Sequence, residues 1–264
     1  MVLPDVPGEP TAGLELNAMG RTYKTEAIVL RSMRFAEADR ILHLYTLDRG
    51  RVGAIAKGIR KTKSRVGARL EPLSHVELML HEGSGELHTV TGVDLINPHS
   101  RTREQPYRLG VGLIGAEAML RLYGEPEANP RAFAALARFL DLLDVVDDPA
   151  DGRHALDLLG LSFQLKLLWL SGYLPHVRAC VECGVEQDLV GFSARAGGAV
   201  CRAHARGSFT LSPEGLAGIE RLLSTPLADA AGAELGDRAR RDALAVVTSS
   251  YEEHGGFRLR TLSA

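Results

Sequence analysis

All three cysteines of the chain fall in two short spacings, Cys180-x2-Cys183 and Cys201-x2-His204, with 17 residues between them. A C-x2-C or C-x2-H hairpin presents two ligands to one side of an ion, and zinc takes four nitrogen or sulfur ligands in a tetrahedron. Two such hairpins supply a complete set. The spacing therefore predicts one structural Zn2+ held by Cys180, Cys183, Cys201 and His204 in a small ribbon or treble-clef loop. A catalytic zinc keeps one coordination position open for water, and four protein ligands leave none. Disulfide pairing is disfavoured by the odd thiol count and a reducing compartment. Reduced, metal-free buried thiols are the competing reading.

Other catalytic spacings are missing. His75-Val76-Glu77 matches half of the nucleobase-deaminase signature, but it lies far upstream of the cysteines, and Ala179 rather than proline precedes Cys180. Ile59-Arg60-Lys61-Thr62 lacks the glycine that a phosphate-cradling loop needs before its lysine. No G-x-S-x-G elbow and no H-E-x-x-H helix occurs. The chain reads as a binding protein and not an enzyme.

Charge suggests what it binds. The formal net charge is only −2, yet residues 21–70 hold thirteen Lys or Arg against four acids, so this segment is +9 and the remainder −11. A basic lobe on an acidic body points to a polyanion held by one part of the molecule. The densest stretch, 58–69, carries Arg60, Lys61, Lys63, Arg65 and Arg69 and no acid. Such side chains on a loop track phosphates without reading base edges. Arg31, Arg34, Arg40 and Lys57 flank it and complete the expected DNA-binding set, although Arg40 also has Asp39 and Glu37 as potential partners. Aromatics make up 5% of the chain, so electrostatics should outweigh base stacking. Phe35 and Tyr45, with His43 alternating beside the latter, are the stacking candidates; a core role suits Tyr45 equally.

The elements that must position these groups follow from periodicity. Five strand-like stretches, about 23–32, 39–47, 51–57, 74–82 and 86–95, are punctuated by Asp48-Arg49-Gly50 and Gly83-Ser84-Gly85, with a long basic connector between the third and fourth. That layout fits a five-stranded OB barrel, and a small sandwich or SH3-like barrel would give a similar string. Beyond Pro98 the period becomes helical. A helix is expected over 108–123, and Phe133, Leu136, Ala137, Leu140 and Leu143 mark the buried face of the next. Residues 153–171 are apolar nearly all round, as at the centre of a bundle, and Gly172 and Pro175 end them. Ser212-Pro213-Glu214 is a helix start, followed by Leu216, Ile219, Leu222 and Leu223. A last helix covers about 237–253.

The expected architecture is thus α+β and multidomain: an irregular arm at 1–20, a five-stranded OB-fold DNA-binding barrel at 21–98, an all-α helical domain at 99–178 and 209–264, and a zinc-binding insert at 179–208. The run at 155–170 is interrupted by Asp157, Ser162, Gln164 and Lys166, so no membrane segment is expected. The first twenty residues carry no export signal. A cytoplasmic protein, nucleoid-associated when bound to DNA, is expected.

Tyr23-Lys24-Thr25-Glu26-Ala27-Ile28-Val29-Leu30-Arg31, Glu37-Ala38-Asp39-Arg40-Ile41, Ala56-Lys57-Gly58 and Arg69-Leu70-Glu71-Pro72, with the late C-x2-C pair, resemble the RecO family of bacterial recombination mediators. The resemblance implies binding of single- and double-stranded DNA, annealing of complementary strands, and cooperation with RecR to load recombinase on DNA coated by single-strand-binding protein. It also implies a groove on the helical domain for the acidic C-terminal tail of that coating protein. Zinc-bearing relatives usually show four cysteines, whereas His204 stands at the last position here. The alternative, an RNA-binding OB and zinc-ribbon protein of the translation machinery, fits the charge and periodicity nearly as well; only the resemblance separates the two.

Overall fold

The computed structural model describes residues 21–59, 67–147 and 152–262. The arm at 1–20 and four of the nominated cations, Arg60, Lys61, Lys63 and Arg65, lie outside the described residues.

Five strands, β1 (Arg21–Phe35), β2 (Asp39–Thr46), β3 (Gly50–Ala56), β4 (His75–Glu82) and β5 (His88–Asn97), close into a barrel in the order β1-β2-β3-β5-β4. Antiparallel pairing of β1 with β4 and a short parallel contact of β3 with β5, at Ala54↔His88 and Ile55↔Thr89, complete the ring. Closure removes the exposed sheet edge. Successive side chains of a strand point to opposite faces, and β1 uses both. Ala27 and Val29 fill the barrel interior, while Ile28 and Leu30 point outward into the helical core. The same alternation in β2 sends Leu42 and Leu44 inward and Tyr45 outward against the helices.

Pro98 and His99 connect the barrel to the helices. Both His99 (φ 45°) and Leu73 (φ 71°) occupy the left-handed region, which costs a β-carbon-bearing residue unless neighbours hold it there. They hold each other: His99 Nδ1 meets the Leu73 carbonyl at 2.8 Å, and Nε2 meets Asp141 Oδ1 at 3.0 Å. Asn97 Nδ2 donates to that same carboxylate oxygen at 2.8 Å.

The helical domain begins with α1 (Ser100–Glu104), a single turn between Pro98 and Pro106 that periodicity did not reveal. Then come α2 (Pro106–Leu122), α3 (Pro130–Val145) and α4 (Leu158–Leu170). The side chains of Asn129 and Asp157 cap α3 and α4 by accepting from Ala132 N and Gly160 N. Almost every residue of α4 is buried, which explains why its sequence shows no polar face. Glycines in α2 permit close contact: a β-carbon on Gly115 would lie 2.6 Å from the Phe139 ring, and one on Gly112 2.6 Å from Leu73. Phe139 stacks on Phe163 with ring centroids 4.1 Å apart.

The chain then leaves the bundle and forms a three-stranded sheet, β6 (Leu189–Ser193), β7 (Gly198–Cys201) and β8 (Phe209–Thr210), before returning through α5 (Pro213–Ser224) and α6 (Asp237–Gly255). Ser212 caps α5 through Gly215 N, as the Ser-Pro-Glu start predicts. From α4, Lys166 reaches across to the far end of α5, its ammonium 2.8 Å from the carbonyl oxygens of Leu222 and Thr225 and 3.2 Å from that of Leu223. Among the described residues, no helix is long and apolar enough to cross a membrane.

Candidate metal centre and basic face

The four ligand atoms of Cys180, Cys183, Cys201 and His204 all lie within 4.8 Å of one another. Two backbone devices bring them there. Val181 N donates to Ala199 O at 3.0 Å and Ala199 N to His176 O at 2.7 Å, pinning the first knuckle on β7. Gly184, at φ +75°, turns the chain so that its N–H bonds the Cys180 carbonyl. The second knuckle begins where β7 ends on Cys201 and continues as a 3-10 turn through His204.

The separations fit the ion. Tetrahedral zinc with bonds of about 2.3 Å to sulfur and about 2.0–2.1 Å to nitrogen sets S···S near ~3.8 Å and S···N near ~3.5 Å. Cys183 and Cys201 sulfurs stand 3.9 Å apart, and His204 Nδ1 lies 3.3 Å from Cys201 Sγ and 3.6 Å from Cys180 Sγ. Burial alone pushes the Cys180 thiol up, but N–H groups of Cys201, Glu182 and Cys183 aim at it and bring it down to about 6. A thiolate is the metal-binding form, so at Cys180 the backbone favours the species a cation needs. Around this cluster the module has little core of its own: Cys180, Val200 and Cys201 form a small separate cluster, while Phe192 packs into the core of the helical domain.

The nominated cations divide into two groups. Arg31, Arg34 and Lys57 are exposed. Arg34 faces Arg40 across the β1–β2 ladder, and Arg40 faces Ala56 across β2–β3, so Arg34, Arg40 and Lys57 gather at one end of the barrel. The chain toward residue 60 leaves from that end. Arg40 and Arg69 are engaged within the protein. Arg40 Nη1 lies 2.7 Å from Glu71 Oε1 in a half-buried pair, and Arg69 Nη1 donates to the Val93 carbonyl at 3.0 Å. The acid paired with Arg40 is thus Glu71, and Asp39 accepts from Gly58 N at 2.8 Å.

Tyr45 takes the core role. It is fully buried, edge-on to Tyr123 with centroids 5.7 Å apart, and offers no face to a base. Phe35 is 48% exposed at the barrel end that carries Arg34. His43 is half-buried, and burial followed by Arg31 and Arg51 pushes its pKa down. Three further arginines, Arg51, Arg121 and Arg260, join Arg31 and His43 around a cleft where the barrel meets α2. Nothing in their sequence spacing brings them together.

Residues 19–99 match the family model described as Recombination protein O N terminal, and residues 103–263 match Recombination protein O C terminal. The chain is similar to the DNA repair protein RecO of Rubrobacter xylanophilus, 39% identical over 226 residues, which covers 83% of this chain and 88% of the relative. The DNA repair protein RecO of Frankia casuarinae is 38% identical, with 91% of this chain and 96% of the relative covered. That of Thermobifida fusca is 34% identical, with 89% and 96% covered.

Proposed function

The chain belongs to the RecO family of DNA repair proteins, and on that premise we propose that it is a non-catalytic mediator that binds single- and double-stranded DNA and anneals complementary strands. The observation that carries the reading is the end of the barrel where exposed Arg34 and Lys57 sit beside the departure point of the basic connector. Each phosphate neutralised there releases counterions, and nothing in the set reads base edges, so binding is strong at low salt and indifferent to sequence. That indifference suits annealing, in which base pairing between the strands supplies the specificity. Membership in a DNA repair family favours DNA over the RNA of the translation machinery.

The proposed division of labour follows the domain plan. The barrel at 21–98 holds DNA. The insert at 179–208 is a metal-stabilised module in which Cys180, Cys183, Cys201 and His204 hold one Zn2+ with no position left for water. The two helical parts, 99–178 and 209–264, receive proteins. With RecR, the molecule helps to load recombinase on DNA coated by single-strand-binding protein, in the cytoplasm and on the nucleoid. An apolar cleft along α4 and α5, lined by Trp169, Leu174, Val177 and Leu223, with Arg178 at its edge in an ion pair with Glu220 at 2.8 Å, suits the apolar end of that coating protein's tail.

The test is salt-dependent binding to random-sequence single strands by the full chain and by an Arg34→Ala/Lys57→Ala variant. Each lost phosphate contact makes the log–log salt slope shallower by about 0.7 on a single strand, so the double variant should lose about 1.4. Unchanged affinity and slope, with the fold and metal retained, would refute the assignment of DNA to this end of the barrel.

A further inference from the structure

A cleft of about 560 Å³ opens between the outside of the barrel and the helical domain. Its floor is apolar: Leu30 from β1, with Leu113 and Leu120 from α2. Four arginines stand around it on four different segments: Arg31 on β1, Arg51 on β3, Arg121 on α2 and Arg260 in the C-terminal turn. All four are exposed, and among the described residues no carboxylate lies within ion-pair distance of Arg31, Arg51 or Arg260.

One acid lines the cleft, and it is already engaged. Glu117 accepts from Arg260 N at 3.1 Å, from Thr261 N at 2.9 Å and from Thr261 Oγ1 at 2.8 Å, and its approach to Arg121 is loose, at 3.9 Å. Burial pushes this carboxyl up, but those three hydrogen bonds outweigh it and hold the pKa below the ordinary value. Glu117 therefore fixes the C-terminal segment in place and leaves the arginines available. His43 faces the same space and is held toward its neutral form by burial and by Arg31 and Arg51. The cleft is thus cationic and built jointly by barrel and helices.

We propose that this cleft is a second nucleic-acid site, in which arginines from both halves of the molecule take successive phosphates of a single strand while a base or sugar lies on the leucine floor. The number of cations favours a polyanion. A single terminal carboxylate can engage one or two guanidiniums, and a phosphodiester chain presents one charge to each of several. Continuity favours it too, since Arg31 belongs to the same strand that carries Arg34 to the basic end of the barrel. This inference rests on the DNA-binding reading above and extends it: the strand passes from the barrel end along β1 and over the seam to α2.

The test uses the full chain and an oligothymidylate of about 15 nucleotides, a length within the range that OB folds accommodate. An Arg121→Ala/Arg260→Ala variant leaves the barrel cations untouched and keeps the backbone bonds to Glu117. It should bind about tenfold more weakly, with a salt slope shallower by about 1.4. If it binds as the wild type does while Arg34→Ala/Lys57→Ala is impaired, the cleft proposal is overturned and the barrel reading stands. If neither variant is impaired, both fall. If the variant loses binding to an acidic peptide and not to the oligonucleotide, the cleft serves a protein partner and the nucleic-acid assignment is overturned. A second readout needs no variant: phosphates seated between Arg31 and Arg51 should raise the His43 titration midpoint in the NMR spectrum of the wild type. A midpoint unmoved by saturating oligonucleotide would also overturn the proposal.

Discussion

Lys166 ties α4 to the end of α5, and replacing it with methionine keeps the aliphatic stem while deleting the donors. Three carbonyls receive its ammonium, those of Leu222, Leu223 and Thr225. They belong to the end of a helix, where the last carbonyls have no partner within the helix. Leu222 keeps a second donor in Ser162 Oγ, at 3.1 Å, so two acceptors lose their side-chain bond. A net hydrogen bond is worth about 0.5–1.5 kcal/mol, and about 1.5–3 kcal/mol when one partner is charged. The ammonium itself is half-buried, and that burial pushes its pKa down, which offsets part of the gain. The expected cost of Lys166→Met is therefore about 2 kcal/mol. At roughly 2–4 °C per kcal/mol for a chain of this size, the thermal midpoint should fall by about 4–8 °C. Lys166→Arg, which retains donors, should lose less. Calorimetry of the three proteins is the assay. A methionine variant melting within about a degree of the wild type would show that water satisfies these carbonyls equally well, and that the bridge between α4 and α5 contributes nothing.

Metal analysis of the purified chain should give about one zinc per molecule; removing the metal, or Cys183→Ser, should speed amide exchange across 179–208 while the barrel keeps its protection. No zinc together with three freely titratable thiols would overturn this. Asp157 caps α4 and also accepts from Tyr107 at 2.8 Å, and its burial raises its pKa above 3.8. Its raised pKa lends stability that is complete below 3.8 and is lost as pH rises through the folded value. Asp157→Asn should thus compare better with the wild type at neutral pH than below 3.8, and melting curves that shift equally at both would contradict it. Arg40→Ala should lower stability by about 1 kcal/mol through loss of the pair with Glu71 and weaken DNA binding less than Lys57→Ala does; the reverse order of affinities would put Arg40 on the phosphates.

What could be read from the sequence was local. The two knuckles are fixed by spacings of two residues, and the cap at Ser212-Pro213-Glu214 lies within one turn of the helix it starts. The alternating strands of the barrel were visible for the same reason. Tyr45 shows where such reading stops. Alternation says that residues 42 and 44 face one way and 43 and 45 the other; it does not say that helices cover the second face. Closure by the parallel contact of β3 with β5 depends on residues more than thirty positions apart. The short strands β6 to β8 carry too few residues for a period to emerge. Arg31, Arg51, Arg121 and Arg260 come from separate segments that only tertiary packing joins.

The hairpin turn at Gly50 has a consequence for how a strand is received. Gly50 adopts φ +63°, and a β-carbon there would stand 2.1 Å from the carbonyl oxygen of Glu127, in the loop after α2. Backbone thus presses on backbone at one end of the seam, and Leu73 meets α2 at Gly112 elsewhere along it. With Ala27–Leu30 of β1 packed on one face into the barrel interior and on the other into the helical core, barrel and bundle share one continuous seam. The relative positions of the arginines on either side are thereby tied to the packing of that seam. On the reading proposed above, a strand docking there would surrender chiefly its own freedom, the protein serving as a jig on which the sugar–phosphate chain is laid out.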